Sequence, residues 1–363
     1  VLNPATRPAF VQSVQEHRPA AWGSFYYDLG IGAFFMPVGL FFAVRNPTNR
    51  NIFLVIFGLT SIYFAGSMIR LTLLLAPAVS LLWALALVQL LRPFVTIMKE
   101  VPAVSRRKTR FAAHVGKEFS GALLIVMFLL LMFTFVLPSP RVFSHADTPT
   151  TLAAASVPLK PDETVSDWIG TLAWMREKLP PDAVVASWWD YGYWITVGGN
   201  KTSLADNGTI NSTQIAEIGY MFMSNETEAI KVLERFNRNA KRLGFNRNVS
   251  HVLVFTTFDT NGQDVGFGDE GKWRWMARIA ASRQYPFVNE TDYGEYDQQG
   301  RWTWSPKGIN SILYKLMTYG KETKLGSPPS VVLEHFELVY FSKGAPVQGQ
   351  VYALVCVYEV KYG

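Results

Sequence analysis

Cysteine and charged residues are scarce in this sequence. Among 363 residues Cys356 is the only cysteine, so no disulfide forms within the chain, and its apolar surroundings predict a buried, inert thiol. Charged residues make up 17%, whereas hydrophobic residues make up 49% and aromatic residues 14%. This balance is too apolar for a typical soluble protein. None of the histidines has the spacing of metal-ligand pairs: His17, His114, His145, His251 and His335.

The start, length and charge of the chain set further limits. The first residue is Val1 rather than methionine, so we expect a longer polypeptide, and the lack of a signal peptide carries no information. A length of 363 residues predicts two or more structural units. The net charge of +6 is unevenly distributed along the chain, and we expect no nucleic-acid partner.

Four long uncharged segments dominate the first part of the chain. They cover residues 29–44, 51–69, 71–91 and 119–137. A helix needs about 20 apolar residues to cross a bilayer, and each segment can reach that length. Trp22, Tyr26 and Tyr27 suit the membrane interface beside the first segment. We therefore predict four transmembrane helices within residues 23–137; the alternative is a set of buried helices in a soluble protein.

Basic residues fill the connections that follow the first and third segments. Arg45 and Arg50 flank one connection, and residues 92–117 contain seven lysines or arginines against the single acid Glu100. The positive-inside rule places both connections in the cytoplasm. Residues 1–22, the turn around Arg70 and everything after residue 137 then share the outer or lumenal side.

Sequons for N-glycosylation support the same topology. Six occur, all after the last predicted span: Asn200, Asn207, Asn211, Asn225, Asn248 and Asn289. Chance produces some sequons, so the cluster supports the topology without deciding it. We predict an N-glycan at Asn211 and a second one at Asn207, where the neighbouring sequon competes for access.

Residues 138–363 predict a lumenal mixed α/β domain that begins with a linker rich in Pro, Ser, Thr and Ala. Strands are predicted at 183–186, 252–257, 331–341 and 350–362, and helices near 162–179, 213–223, 226–243, 272–282 and 309–319. Ser224 or Asn225 is expected to cap the helix that begins near residue 226. Strands that alternate with helices favour a layered domain. The predicted architecture is a multi-span α-helical membrane region followed by this domain.

Three short motifs carry the functional signal. "WWDYG" occupies residues 188–192, "DEGKWRWM" at residues 269–276 fits the pattern D-x-x-K-x-x-x-M, and "SVQEH" at residues 13–17 lies before the first span. Together they resemble the catalytic subunit of N-oligosaccharyltransferase. The third motif departs from the family's Ser-Val-Ser-Glu at Gln15 but keeps Glu16. The resemblance covers the whole chain, as the C-terminal half of such a subunit.

The resemblance implies that "WWDYG" holds the Ser or Thr of an acceptor sequon. A hydroxyl offers one donor and two acceptor lone pairs. The two indole N–H groups of Trp188 and Trp189 and the carboxylate of Asp190 would saturate it. Both indoles reach one ligand only across a bend, for which Tyr191 and Gly192 provide a place. The alternative is an aromatic core cluster with a capping aspartate.

The second motif predicts one helical stripe formed by Asp269, Lys272, Met276 and Ile279, although an ordinary amphipathic helix has the same spacing. By resemblance, Met276 and Ile279 line the pocket around the threonine methyl group, while Lys272 and Asp269 orient the peptide. One methyl contact contributes about 0.8 kcal/mol, enough to prefer Thr over Ser severalfold.

The remaining site residues also come from the resemblance. Glu16 is implied to be the catalytic residue: it accepts hydrogen bonds from the amide of the acceptor asparagine and lies near the metal ion. The other metal ligands are expected in the missing N-terminal half. The alternative is that Glu16 is a solvated surface glutamate. Arg70, the only charge between residues 51 and 91, is implied to bind the donor's pyrophosphate, and the alternative is a snorkelling side chain. Tyr193 is implied to contact the donor's head group.

The resemblance implies a membrane-embedded glycosyltransferase of the endoplasmic reticulum, multi-pass, with its C-terminal domain in the lumen. It would transfer a preassembled oligosaccharide from dolichyl diphosphate to asparagine in Asn-X-Ser/Thr, with Mn²⁺ or Mg²⁺ as cofactor and other oligosaccharyltransferase subunits as partners. Two other classes stay open: a different polyprenyl-phosphate-sugar glycosyltransferase and a non-catalytic membrane receptor.

Overall fold

The structure, a computed structural model, describes residues 7–99, 116–136, 151–159, 163–296 and 302–363. The chain divides into two units, Val1–Ala146 and Asp147–Gly363. The predicted boundary between residues 137 and 138 lies outside the described residues.

The first unit is helical. Two of its segments, Asn49–Ser67 and Ile69–Lys99, are long and apolar enough to cross a membrane. A further helix, Lys117–Val136, coincides with the predicted fourth span. The number of spans therefore stays a prediction. The helices are α1 (Ala9–Ser13), α2 (Trp22–Leu29), α3 (Gly32–Arg45), α4 (Asn49–Ser67), α5 (Thr72–Lys99) and α6 (Lys117–Val136).

The first predicted span, residues 29–44, is not one straight helix. The helical segments Gly23–Leu29 and Gly32–Arg45 meet at an angle of 89°. If this bent pair is counted as a single span, the described residues contain three candidate spans instead of two. Gly30 has a φ of 58° at the break, in the left-handed region that favours glycine. The 14 residues of α3 extend over about 21 Å, less than the roughly 30 Å of a hydrocarbon core.

Helices α3 and α5 pack backbone to backbone. A Cβ atom at Gly39 would lie 2.1 Å from the carbonyl oxygen of Leu82, so a side chain there would push the helices apart. The buried centre of the unit consists of Met36, Ala43, Ala65, Leu75, Val79 and Leu82.

The loop before α2 is hydrogen-bonded to the last turn of α4 and to the segment between α4 and α5. The backbone N–H of Ala20 donates to the carbonyl of Gly66 at 3.2 Å, and that of Ile69 donates to the carbonyl of Arg18 at 3.0 Å. Short 3₁₀ helices cover Gln15–His17 and Ile69–Leu71. These bonds bring the segment that carries Glu16 next to the segment that carries Arg70.

The second unit is a mixed α/β domain, as predicted. Its five-stranded sheet has the order β2-β1-β3-β7-β6, with β1 parallel to both β2 and β3 and with β7 antiparallel to both β3 and β6. The strands are β1 (Val184–Ala186), β2 (Thr202–Ser203), β3 (Val249–Asp259), β4 (Gly294–Tyr296), β5 (Trp302–Trp304), β6 (Phe336–Phe341) and β7 (Val351–Val360).

Helices pack against this sheet. All five helices predicted for this part of the chain are present, with ends shifted by a few residues. Asn225 caps α10, because its side-chain oxygen accepts from the N–H of Glu228. The helices are α7 (Thr151–Ala154), α8 (Asp167–Lys178), α9 (Ser212–Met223), α10 (Glu226–Arg242), α11 (Asp269–Ala281), α12 (Pro306–Ile309) and α13 (Ile312–Leu325).

The predicted strand at residues 331–341 begins only at Phe336. The backbone N–H groups of Glu334 and His335 both donate to the carboxylate of Glu226 at 2.7 Å, so they do not join a strand ladder. Strand β2 and the antiparallel pair β4 and β5 were not predicted. Each has only two or three residues, too few to show an alternating pattern.

Candidate functional site

The first motif begins at the carboxyl end of β1. After Ala186 the chain remains extended through Trp188 and then turns into a 3₁₀ helix at Trp189–Tyr191. The bend therefore begins at Trp189, two residues before Tyr191, the first residue of the predicted bend. A Cβ atom at Gly192 would lie 2.2 Å from the carbonyl oxygen of Ala205, so the motif requires glycine where these two segments cross.

The second motif covers the edge of β3 that β1 leaves unpaired. Strand β1 ends opposite Val252, whereas β3 continues to Asp259. The N–H of Phe255 donates to Asp269 Oδ2 at 2.9 Å, and that of Thr257 donates to Glu270 Oε1 at 3.0 Å. The first two carboxylates of α11 thus replace a strand and fix the start of this helix against the sheet.

The two motifs meet through an ion pair. Lys272 Nζ lies 2.7 Å from Asp190 Oδ2, and it donates to the hydroxyl of Tyr191 at 3.0 Å. The same hydroxyl donates to Asp269 Oδ1 at 2.8 Å. The side chains of Lys272 and Asp190 are 24% and 28% exposed, whereas Asp269 and Tyr191 are fully buried. The result is a continuous polar chain from β3 to a carboxylate that solvent reaches.

Burial changes the acid–base behaviour of Asp269 and Tyr191. Loss of hydration raises the pKa of Asp269 to about 7, against the lowering effects of Lys272 and of the hydrogen bond from Phe255. Burial likewise raises the pKa of Tyr191 well above its usual value. Its hydroxyl therefore remains protonated near neutral pH and can donate to Asp269.

The other predicted pocket residues are more deeply placed. Trp188 and Trp189 are buried, with ring centroids 6.3 Å apart and planes inclined by 53°. Met276 and Ile279 are fully buried on α11, on the same stripe as Asp269. Their contact with a threonine methyl group stays a prediction.

Asn207, predicted to carry a glycan, holds the backbone of the first motif. Its side-chain amide donates to the carbonyl of Asp190 at 3.1 Å, and its oxygen accepts from the N–H of Tyr193 at 3.4 Å. The ring of Tyr193 is exposed. Asn211 caps α9 through its oxygen, which accepts from the N–H of Gln214, so its amide nitrogen is not needed for the cap.

The first unit brings Glu16 and Arg70 together. Glu16 Oε2 lies 3.0 Å from Arg70 Nε, and the two side chains are 60% and 58% exposed. Within the described residues no group of three or more His, Cys, Asp or Glu side chains is placed to hold a metal ion. Glu16 could supply one ligand, but the described residues do not complete a metal site by themselves.

Comparison with known proteins shows to which family this chain belongs. The family described as STT3/PglB/AglB core domain matches residues 181–266. The dolichyl-diphosphooligosaccharide–protein glycosyltransferase subunit STT3B of Oryza sativa subsp. japonica is 34% identical over 350 residues, 88% of this chain and 45% of that protein. The STT3 subunit of Dictyostelium discoideum is 32% identical and covers 97% of this chain and 48% of its own length. The chain belongs to the STT3 family. It spans about half the length of these curated relatives.

Solved structures show that this chain shares the fold of part of an archaeal oligosaccharyltransferase. The Archaeoglobus fulgidus enzyme tethered with an acceptor peptide containing the NVT sequon matches 92% of this chain and 41% of its own, with a TM-score of 0.58 and 17% identity. AglB from the same organism, in complex with an inhibitory peptide and a dolichol-phosphate, matches 93% and 40%, with a TM-score of 0.60 and 17% identity. At this identity the likeness concerns the fold alone.

The sequence does not indicate the structural roles of three residues in this candidate site. The sequence predicts only a bend at Tyr191, no role for Glu270, and only a glycosylation site at Asn207. A buried tyrosine needs a partner for its hydroxyl, so the position of Tyr191 inside the motif was the available signal. The contact of Asn207 with Asp190 depends on a loop closure that no local pattern specifies.

Proposed function

We propose that this chain is the acceptor-recognising and donor-contacting part of an oligosaccharyltransferase catalytic subunit. The whole protein would transfer a preassembled oligosaccharide from a dolichyl-diphosphate donor to asparagine in Asn-X-Ser/Thr. The observation that carries the proposal is the ion pair between Asp190 and Lys272. It joins two motifs far apart in sequence beside two tryptophans, in a chain of the STT3 family.

Asp190 is the proposed acceptor for the sequon hydroxyl. Its carboxylate is the most accessible member of this hydrogen-bonded network, and the ion pair with Lys272 directs it. A Ser or Thr hydroxyl would donate to this carboxylate and accept from the indoles of Trp188 and Trp189. Met276 and Ile279 would lie behind the threonine methyl group after a small adjustment of their packing.

Glu16 and Arg70 are the residues proposed to contact the reacting groups, the acceptor amide and the donor diphosphate. An amide nitrogen is a poor nucleophile because its lone pair is delocalised into the carbonyl group. The Glu16 carboxylate would accept hydrogen bonds from the amide and weaken that delocalisation, while Arg70 would stabilise the diphosphate leaving group. Tyr193 would contact the head group of the donor.

A divalent ion, Mn²⁺ or Mg²⁺, is the proposed cofactor, since oxygen ligands suit both. When bound, such an ion would stabilise negative charge on the diphosphate. Glu16 would be its neighbour in this chain. The remaining ligands would have to come from outside the described residues.

The proposed location is the membrane of the endoplasmic reticulum, with residues 1–22 and 138–363 on the lumenal side and the four spans of residues 23–137 between them. The lipid-linked oligosaccharide and the acceptor polypeptide would be substrates, and other oligosaccharyltransferase subunits would be partners. Glycans at Asn211 and Asn207 would face the lumen.

A transfer assay tests the proposal. The full-length protein in its complex is incubated with a dolichyl-diphosphate oligosaccharide and peptides that contain Asn-X-Thr or Asn-X-Ala. We expect glycosylation of the first peptide only. Transfer of a sugar to lipid or to a different acceptor would indicate another polyprenyl-phosphate-sugar enzyme, and peptide binding without transfer would indicate a receptor.

A further inference from the structure

We propose that Tyr191 is the positioning residue that sets the Asp190 carboxylate for sequon recognition, by holding Lys272 through its hydroxyl group. This inference rests on the proposed function of Asp190 and deepens it. Tyr191 does not touch substrate in this proposal. It acts through Lys272, and it determines how strongly the site discriminates between Thr and Ala in the acceptor.

The hydroxyl of Tyr191 has one hydrogen and can therefore donate only one hydrogen bond. It donates to Asp269 Oδ1 at 2.8 Å, and this direction leaves its lone pairs for the Lys272 ammonium group at 3.0 Å. Tyr191 is fully buried, and its ring packs 4.8 Å from Trp168 and 6.0 Å from Phe255, centroid to centroid. The hydroxyl is therefore held both by packing and by a partner.

Asp269 fixes the inner end of this arrangement. Its second oxygen accepts from the N–H of Phe255 at 2.9 Å, so the carboxyl group is attached to β3. Both oxygens serve as acceptors, which orients the hydrogen of Tyr191 inward. The sheet thereby sets the direction of a hydrogen bond that ends on Lys272.

Lys272 connects the Tyr191 hydroxyl to the Asp190 carboxylate. A lysine side chain has high rotamer freedom, and an ion pair alone does not fix its ammonium group. Here the ammonium group has three contacts: Asp190 Oδ2 at 2.7 Å, the Tyr191 hydroxyl at 3.0 Å and the Tyr191 ring at 4.5 Å from its centroid. Removal of the hydroxyl would leave the ion pair and the ring contact but would release the directional bond.

The backbone of Asp190 has a separate support. Its carbonyl accepts from the side chain of Asn207 at 3.1 Å. Loss of the Tyr191 hydroxyl would therefore free the carboxylate without displacing the main chain. The expected defect lies in the orientation of one side chain, which affects acceptor affinity more than chemistry.

The substitution Tyr191→Phe tests this proposal because it keeps the ring and removes one oxygen. Tyr358→Phe is the matched control: Tyr358 is also fully buried, and its hydroxyl donates to the carbonyl of Leu316 at 2.7 Å, on strand β7. Both variants are made in the full-length subunit within its complex. Thermal unfolding shows whether each one folds and how much stability each loses.

Steady-state kinetics are measured with Asn-X-Thr, Asn-X-Ser and Asn-X-Ala peptides and the native lipid-linked donor. For Tyr191→Phe we expect the KM for the Thr peptide to rise about tenfold, the lower end of the range for one lost hydrogen bond to a charged group. We expect kcat and the KM for the donor to stay within about twofold, and the Thr-over-Ala preference to shrink by a similar factor of about ten. Tyr358→Phe should leave all of these values unchanged.

Lys272→Met provides a second route if Tyr191→Phe does not fold, because it removes the ammonium group while Tyr191 and Asp269 stay paired. Because it also removes the ion pair with Asp190, it should raise the KM for the Thr peptide at least as much. An unchanged KM and an unchanged Thr-over-Ala preference in a folded variant would overturn the proposal, as would an equal defect in Tyr358→Phe. Absence of transfer by the wild type would overturn the proposed function as well.

Discussion

The two units each contain an ion pair of similar length, but the surroundings of the two pairs differ. Asp190 and Lys272 are 2.7 Å apart and about one quarter exposed, and Tyr191 and Asp269 anchor them to the sheet. Glu16 and Arg70 are 3.0 Å apart and more than half exposed. Exposed pairs contribute little to stability, typically about 0–1 kcal/mol. The first pair belongs to a rigid network, whereas the second is held mainly by its two backbone segments.

This difference agrees with the two proposed tasks. Recognition of a hydroxyl requires donors and acceptors in fixed positions, because the discrimination depends on polar groups that lose their partner when the hydroxyl is missing. Glu16 and Arg70 would instead bind an amide and a diphosphate, so their mutual pairing must be replaced by substrate. A weak, exposed pair can be replaced at little cost in free energy.

The largest effect is expected for the exposed pair. Glu16→Gln removes the charge that would attract the amide hydrogens, and we expect transfer to fall by roughly 10²-fold or more. The stability of the protein should change by less than about 0.5 kcal/mol, because the side chain is exposed. Turnover of a sequon peptide by the full-length complex, together with its thermal unfolding, measures both effects. Near-normal turnover with an intact complex would contradict the assignment of Glu16.

The next effect concerns the anchored pair. Asp190→Ala removes the proposed acceptor for the sequon hydroxyl and leaves Lys272 without its ion partner. A hydrogen bond to a charged group contributes about 1.5–3 kcal/mol, so peptide affinity should fall roughly ten- to a hundredfold. Binding of an Asn-X-Thr peptide to the purified complex is the measurement, and the donor affinity is its control.

Changing the peptide sharpens the same test. A site built for a hydroxyl can reject an analogue that lacks it by up to about 10⁴–10⁵. The Thr-over-Ala preference should therefore be large in the wild type and smaller in Asp190→Ala. A variant that keeps the full preference but loses affinity for the lipid-linked donor would show that "WWDYG" is not the hydroxyl pocket.

Part of the candidate site and part of the fold could be predicted from sequence. The motifs mark Trp188, Asp190 and Lys272 because their spacing and residue types are distinctive, and the α/β nature of the domain follows from alternating patterns. The break at Gly30 could not be predicted, since an uncharged run continues through a bend as easily as through a straight helix. Length and hydropathy therefore suggest a span where the structure has two helices at 89°.

The polar chain itself also could not be predicted from sequence. It depends on β1 ending at Ala186 while β3 continues, which leaves the N–H groups of Phe255 and Thr257 for Asp269 and Glu270. Strand length is set by the whole sheet and is not encoded locally. The pattern D-x-x-K shows that Asp269 and Lys272 share a helix face, but only the sheet shows that Asp269 points inward.

A smaller effect is expected from the buried end of the network when the pH changes. The pKa of Asp269 is raised to about 7 by burial, so between its ordinary value near 4 and pH 7 the folded state binds more protons than the unfolded state. The contribution of Asp269 to stability is therefore present at low pH and decreases as the pH rises to about 7, by at most about 1.4 kcal/mol per pH unit.

Asp269→Asn tests this dependence because the amide does not titrate. We expect the unfolding midpoint of the wild type, relative to that of the variant, to fall as the pH rises from about 4 to 7 and then to level off. The variant also places an amide NH₂ group where two acceptor oxygens are needed, which should destabilise the protein by about 1–3 kcal/mol. A wild-type midpoint that rises with pH relative to that of the variant would contradict the raised pKa.

The smallest effect is expected at Asn211, outside the polar network. Its side chain is exposed and caps α9 through its oxygen, so we expect an N-glycan on its amide nitrogen. Asn211→Asp removes the glycan and keeps an acceptor for the cap, whereas Asn211→Ala removes both. We therefore expect Asn211→Ala to lose about 1 kcal/mol of stability relative to Asn211→Asp.

Neither Asn211 variant should change the Thr-over-Ala preference, because the anchoring of Asp190 comes from Lys272 and Asn207 and not from Asn211. Mass spectrometry of intact glycopeptides measures the occupancy of Asn211 and Asn207, and thermal unfolding measures the cap. An unmodified Asn211 would reject the glycosylation prediction. A reduced Thr-over-Ala preference in Asn211→Asp would show that the rigidity of this site depends on the glycan as well as on its buried hydrogen bonds.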